Sequence, residues 1–466
     1  MKPDIAGCKA ALSHLDIDDH PATVKQKSRD FFWYSPVLKA RMDHLTADFV
    51  VTPKSEAEVI EILRAAYAHD VPVTTRGAGT GNYGQAMPLS GGIVLHMKAL
   101  ATVREIGAGR VLADAGAIIA DIDRETRAHS GQELRLHPST YATASIGGFV
   151  AGGSGGVGSI RWGGLRDAGN ILSLRLVTCE AEPRVITLRG DEIHRASHAY
   201  GVNGVITQVE MPLAPAYDWI DVIVGFDDWE QANRYAYGLA HQDGVLLKEL
   251  ATVASPVAHD YFLRHQKFIP RGKHAVILMA APHSLDALLT VTARDRGASV
   301  LFRADRDPTA GLPPAFELAW NHTTLRALRV DPSITYLQVF YGPPDPVARV
   351  AQMTAMFGDE VPGHVEYLRF DGHVRGAGLS LVRYTTEERL NEIIALHEVN
   401  GCPIFNPHRY TLEEGGMKQS NPSQLAFKRE TDPKGLLNPG KMIAWDDPDY
   451  DFDSGKFYLF PGMAQG

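Results

Sequence analysis

Cysteine is scarce in this chain. Cys8, Cys179 and Cys402 are its only three, with no CxxC pair and no metal-ligand spacing. A disulfide framework is excluded, no metal is expected, and a reduced cytoplasmic setting is the simple reading. Long apolar runs are missing as well: the nearest, residues 275–281, is the size of a strand, so no membrane span is expected. The opening residues stay polar and acidic through Asp19, without the apolar core of a secretion signal. Positive charge is in deficit, 46 Lys and Arg against 55 Asp and Glu for a net charge of −9, which argues against nucleic acid or anionic membranes as partners. No internal repeat or low-complexity tract is present.

What the sequence has in plenty is glycine, 44 residues in all, and two clusters of it carry information. The first, Arg76-Gly77-Ala78-Gly79-Thr80-Gly81-Asn82-Tyr83, follows an apolar segment, 71–75, that reads as a short buried strand. A glycine-rich turn leaving a strand lets backbone N–H groups crowd around a bulky anion, and Arg76 adds a positive charge beside it. One such turn is as often structural as functional. The second cluster, from Ser145 through Gly147, Gly148, Gly152, Gly153, Ser154 and Gly158 to Ser159, is too dense for an ordinary turn. Two such loops separated by strand and helix patterns point to one extended site for a phosphate-bearing cofactor.

At 466 residues the chain exceeds what a single core supports, so at least two domains are expected. Residues 1–45 read as a preamble with helical fragments and an aromatic knot, Phe31-Phe32-Trp33-Tyr34, that packs on the body. A β-rich start at 49–53 leads to Ser55, which with Glu58 makes a capping box, and Val59, Ile60, Ile62, Leu63, Ala66 and Tyr67 then recur at helical spacing. Strand, helix and the strand at 71–75 form a βαβ unit. Further strands are predicted at 92–97, 110–115, 171–177, 184–188 and 205–211, with a helix near 118–130. Pro212 and Pro215 mark a boundary. Beyond it, helices at 229–239 and 285–294 alternate with strands at 274–280, 335–340 and 366–370, a second α/β domain. The tail, 432–441, is a run of turn formers.

The succession Thr52-Pro53-Lys54-Ser55, Arg76 to Gly81, His137-Pro138-Ser139-Thr140, Ala144 to Gly148, Gly201 to Thr207 and Asn438-Pro439-Gly440-Lys441 resembles the flavoprotein family of vanillyl-alcohol oxidase and p-cresol methylhydroxylase. Its first half is similar to the D-lactate dehydrogenase and glycolate oxidase branch. The resemblance implies an α/β (α+β) fold: a two-subdomain FAD-binding domain over 46–215, an α/β cap with a largely antiparallel sheet over 216–421, and a segment, 422–466, returning to the FAD domain. It implies that Arg76 to Tyr83 lie over the pyrophosphate, and that Pro138, Ser139, Thr143, Ser145, Gly147, Gly148, Gly152, Gly153, Ser159, Val205, Ile206, Asn438 and Lys441 also touch FAD. Members that attach flavin covalently often carry a histidine after the glycine pair of the first loop; Thr80 stands there, so non-covalent FAD is expected. The metal-binding His-x-Gly-Asp-Gly-Asn segment of the D-2-hydroxy acid enzymes is absent, and Gly363-His364-Val365-Glu366 and Gly372-His373 read as ordinary strand ends.

Flavin chemistry needs a base for the proton of a substrate hydroxyl, and neutral histidine suits that task. Two sequence candidates are His408, followed by Arg409 and Tyr410, and His322 after Trp320-Asn321. If 408–410 is extended, His408 and Tyr410 share a face and Arg409 points away. Arg409, Arg383 and Tyr336 are candidates for the substrate wall. The expectation is an FAD-dependent oxidoreductase acting on a small hydroxyl-bearing molecule, a hydroxy acid or a phenolic or secondary alcohol, passing electrons to oxygen, a quinone or a redox protein. Two alternatives stay open: an NADPH-dependent reductase of an enoyl-type double bond, and a non-catalytic nucleotide-binding subunit. A homodimer is expected from an exposed cap-sheet edge.

Overall fold

A computed structural model describes residues 2–153, 155–415 and 422–452; Ser154 of the second glycine cluster and the end of the C-terminal segment lie outside the described residues. Three sheets organise the chain. The first has four strands in the order Ile17–Asp18, Phe49–Val51, Ile93–His96, Val73–Arg76. Its last three are parallel. The strands flanking the Glu56–Ala68 helix are therefore not neighbours, because Ile93–His96 inserts between them. That helix starts as its sequence predicts, with Ser55 Oγ accepting the Glu58 N–H at 3.2 Å. The Glu58 carboxylate reaches one residue further than a standard capping box and accepts the Lys54 N–H at 2.8 Å. Val59, Ile62, Leu63 and Ala66 fill the core beneath it.

The second sheet is antiparallel, running Val103–Gly107, Arg110–Asp114, Val205–Pro215, Ser173–Val177, Val185–Arg189, with Gln132–Leu134 pairing the far end of the long central strand. That central strand runs through Pro212 and ends at Pro215.

The third sheet has seven antiparallel strands in the order Ser299–Arg303, Ile220–Phe226, His274–Ala280, Leu247–Val253, His364–Phe370, His373–Gly378, Val339–Tyr341. The helices Trp229–Leu239 and Leu285–Arg294 begin and end where periodicity puts them. One predicted element is corrected. The apolar run 335–340 is not one strand: Ile334–Tyr336 pairs with Leu381–Arg383, and Val339–Tyr341 joins the large sheet. The chain changes sheets at Leu337 and Gln338, whose backbones bond to Ser380 and Phe405 respectively. An apolar run reports burial but not which sheet it enters.

Two remote segments close the first sheet. Ile17–Asp18 pairs antiparallel with Phe49–Val51. Leu437 bridges in parallel to Val73, where Val73 N–H donates to Leu436 O and Asn438 N–H to Val73 O, both at 2.8 Å. Among the described residues, no helix is long and apolar enough to cross a membrane.

Candidate functional site

The two glycine loops meet. Ala78 N–H points to Ser145 Oγ at 3.4 Å, and a Cβ on Gly77 would displace that hydroxyl. Between the loops runs a solvent-connected cleft. The sequence-predicted residues Gly77, Ala78, Gly79, Thr80, Gly81, Asn82, Tyr83, Pro138, Ser139, Ser145, Gly147, Gly148, Gly152, Gly153 and Ile206 all line it. The remaining predicted cofactor residues stand behind the wall. Arg76 folds back under its own loop, donating to the Arg29 and Ala78 carbonyls, and its guanidinium fills the space a Cβ on Gly79 would need. Ser159 Oγ donates to Gly156 O at 2.5 Å, exposed Thr143 caps its own turn through Thr140 O at 3.2 Å, and Val205 sits in the core. Asn438 Nδ2 donates to Gln85 O at 2.8 Å and Tyr200 O at 2.7 Å, stapling the first loop to the Tyr200 turn. Lys441 Nζ donates to Gly84 O at 2.6 Å beneath the same loop.

The cleft also takes residues that the sequence did not flag: Asp30, Thr75, Gln85, Tyr200, Trp320, Asn321 and Gln338. Asp30 comes from the supposed preamble, where Phe32 N–H and Ala86 N–H donate to its two oxygens at 2.9 and 3.2 Å. Burial raises its carboxyl to about 6, while burial depresses the nearby Lys441 to about 7. No sequence signal marks it as a wall residue, because the partner that ties it to the first glycine loop, Ala86, lies over fifty residues away.

A second cavity adjoins the first, and Trp320, Asn321 and Gln338 line both. Its walls are apolar and aromatic, with Leu165, Val339, Phe340, Leu368, Phe370, Leu379 and Phe405; Arg166 and His198 are the ionisable groups on it. Burial lowers Arg166 to about 9, which leaves the guanidinium charged at neutral pH. His198 is the one histidine on either cavity wall among the described residues.

The sequence-predicted catalytic and substrate residues lie elsewhere. His408 is buried with both ring nitrogens engaged: Nδ1 is 2.8 Å from Ser35 Oγ, and Nε2 is 2.9 Å from Tyr336 O. An N–H must be directed at the carbonyl, so Nδ1 accepts from the serine and the ring is neutral; burial takes its pKa down to about 3. It joins the end of the aromatic knot to the Ile334–Tyr336 strand and faces neither cavity. Tyr410 packs with Phe32, Leu38, Met42 and Met87 beneath the Lys441 ammonium, and Arg409, its neighbour, is off both walls. His322, lowered to about 4 by burial, lies one residue beyond the cavity-lining Asn321 but is not itself on a wall. Arg383 is an edge residue that donates to Asp359 O at 3.0 Å. Tyr336 is fully buried against Tyr34, at the back of the first loop. Grouping by sequence adjacency failed because strand-to-turn geometry sends consecutive side chains in different directions. His364, read as a strand end, is fully buried and pairs with Glu366 at 2.7 Å.

The cleft fits a long dinucleotide. Small residues keep its floor open to backbone, and two buried oxygens aimed at it, Thr75 Oγ1 and Asn321 Oδ1, have no hydrogen-bond partner within the described chain. Residues 47–187 match a family model described as an FAD binding domain. The chain is similar to an uncharacterised FAD-linked oxidoreductase of Mycobacterium tuberculosis, 29% identical over 39% of this chain and 41% of the relative. It is 32% identical to the D-lactate dehydrogenase of Archaeoglobus fulgidus over 41% of this chain and 45% of that protein, and 31% identical to glycolate oxidase subunit GlcD of Escherichia coli over 40% and 38%. The matches thus span less than half the length of these curated relatives. An alkyldihydroxyacetonephosphate synthase structure, 13% identical, superposes with a TM-score of 0.69 over 91% of this chain and 82% of its own, which shows a shared fold. The chain is a flavoprotein, built on an FAD binding domain of the type shared by FAD-linked oxidoreductases.

Proposed function

We propose that this protein oxidises a hydroxyl-bearing, largely apolar organic molecule, with the second cavity as the donor chamber and His198 as the proton acceptor. FAD, when bound, supplies the acceptor for a hydride from the carbon that carries the hydroxyl. The chain's own part is to orient that carbon, exclude water and receive the hydroxyl proton. The carrying observation is that His198 is the one described histidine facing either cavity, on the chamber that adjoins the cofactor cleft. Asn321 and Gln338, at the junction, offer amide groups to the donor oxygen. Arg166 supplies a cation within reach of a carboxylate, which accords with relatives named for lactate and glycolate. Phe340, Phe370 and Phe405 keep the chamber dry and favour a donor larger than those two acids.

Non-covalent attachment belongs to the same proposal. Thr80 lies on the cleft wall, and no histidine or cysteine lines that cleft among the described residues. Acid precipitation should leave the yellow colour in the supernatant; colour held in the pellet would overturn it. The activity is tested by anaerobic titration of the purified holoprotein with hydroxy acids, benzylic alcohols and secondary alcohols while following flavin absorbance. Bleaching by at least one class is expected. Colour that no hydroxyl donor bleaches but NADPH does would transfer the assignment to reduction of a double bond.

A further inference from the structure

Trp320 stands where the two cavities meet and lines both. Its backbone has φ 52° and ψ −144°. A bulky L-residue adopts that region only when its surroundings enforce it. Two buried carboxyls do so here. Glu366, on the His364–Phe370 strand, accepts the Trp320 backbone N–H at 2.5 Å and contacts His364 Nε2 at 2.7 Å. Glu249, on the adjacent Leu247–Val253 strand, accepts the indole Nε1–H at 3.0 Å and the Leu250 N–H at 3.1 Å. Gly155 lies close against the ring: a Cβ there would come within 2.9 Å of the indole.

The arrangement is costly. Glu249 and Glu366 are 3% and 0% exposed, and two facing carboxyls in a dry interior cannot both ionise. Burial and the Glu366 charge push Glu249 well up, and burial lifts Glu366 to about 7. The pair therefore keeps a proton between its two carboxyls, and Glu366 accepts the Trp320 amide. Apolar residues would fill the same volume with less penalty. A buried acid pair that fixes one indole in a strained conformation is understandable if the position of that indole matters.

We propose that Trp320 is the partition that sets the bulk of donor reaching the cofactor cleft, with Glu249 and Glu366 as its positioning residues. The inference rests on reading the two cavities as cofactor cleft and donor chamber. A flat aryl or linear group passes the edge of the indole; a donor with two large substituents on the reacting carbon does not.

The test uses holoprotein labelled with ¹⁵N-tryptophan, whose six indole N–H signals include one that Trp320→Phe removes. In Glu249→Gln, an amide oxygen still accepts from the indole, and that signal should stay near its parent position. In Glu249→Leu the acceptor is gone, and the signal should move to the range of a free indole. Benzoate and diphenylacetate serve as non-reacting probes, their Kd values read from perturbation of the flavin spectrum. The diphenylacetate-to-benzoate Kd ratio should fall at least about tenfold in Trp320→Ala and Glu249→Leu, and stay at the parent value in Glu249→Gln. A Trp320 signal unmoved in Glu249→Leu would overturn the positioning role. An unchanged ratio in Trp320→Ala, or no spectral response to either probe in that variant, would overturn the partition; should Glu249→Leu fail to fold, Trp320→Phe and Trp320→Ala still decide it. Failure of the proposed activity would look different, as holoprotein bleached by no hydroxyl donor while the probe ratios behave as described.

Discussion

The cleft that suits FAD and the chamber proposed for the donor adjoin, but they are built on opposite principles. The floor of the cleft comes mainly from two glycine-rich loops, each contiguous in sequence, that present backbone; the chamber is made by residues from eight separated stretches of chain. Backbone recognition depends on what is missing, a Cβ at Gly77 or a permitted φ at Gly79, and it leaves glycine clusters that can be read directly. Side-chain recognition depends on tertiary register, which no local pattern announces.

The sharpest way to break the comparison is at His198. If the chamber does chemistry with side chains, His198→Asn should lower kcat/KM by about 10²–10⁴-fold while flavin content stays near the parent value. Stopped-flow reduction with the best donor measures it, and parent-like rates would remove His198 from the mechanism. At the cleft the effect should be on binding. Gly79→Val needs a branched residue at φ 70° and drives its Cβ into the Arg76 guanidinium, so FAD affinity should fall at least about 100-fold, roughly 3 kcal/mol. Circular dichroism should show the cap still folded; full flavin occupancy in that variant would mean that the loop tolerates a Cβ.

His408 gives a smaller effect of another kind. Because both its nitrogens are structural, His408→Asn should keep the parent turnover and lose about 1–3 kcal/mol of stability. Its pH dependence has a definite sign. The folded-state pKa, about 3, lies below the unfolded value of about 6.5, so only the unfolded chain takes up a proton between them. The stabilisation is whole above about pH 6.5 and is lost as pH falls towards 3, at about 1.4 kcal/mol per pH unit for one such group. Urea melts of parent and variant at pH 7 and pH 5 should show the shallower loss in His408→Asn. A loss of similar size is expected at Asn438, whose φ of 42° suits asparagine or glycine. Asn438→Ala should lower Tm and remove about 2 kcal/mol by leaving the Gln85 and Tyr200 carbonyls short of a donor. A variant melting with the parent would show that the staple is dispensable.

How much of this was legible follows the same division. The Ser55 cap, the helices Trp229–Leu239 and Leu285–Arg294 and the strand His274–Ala280 were readable because their signals are local. So was most of the cleft floor. Asp30 was not, since it became a wall residue only through the Ala86 amide that the fold brings to it. His198 follows the second loop and carries no motif, whereas His408 was conspicuous beside Arg409 and Tyr410 and proved to be a buried strut. Gln338 was hidden inside an apolar run whose break between two sheets puts it at the junction. The network around Glu249 and Glu366 joins strands over a hundred residues apart, beyond any spacing rule.

The bridge between Val73 and Leu437 bears on how the protein is born. Thr74 and Asn438, paired across that seam, are 364 residues apart. At a synthesis rate of about 5–20 residues per second, the ribosome needs roughly 20–70 s after making the first glycine loop before it makes the segment that anchors it. Through that interval the nascent chain exposes an unfinished sheet edge beside Val73. Completion of the FAD-binding loop's support thus waits for the 436–438 segment, and until then the edge beside Val73 is open to mispairing.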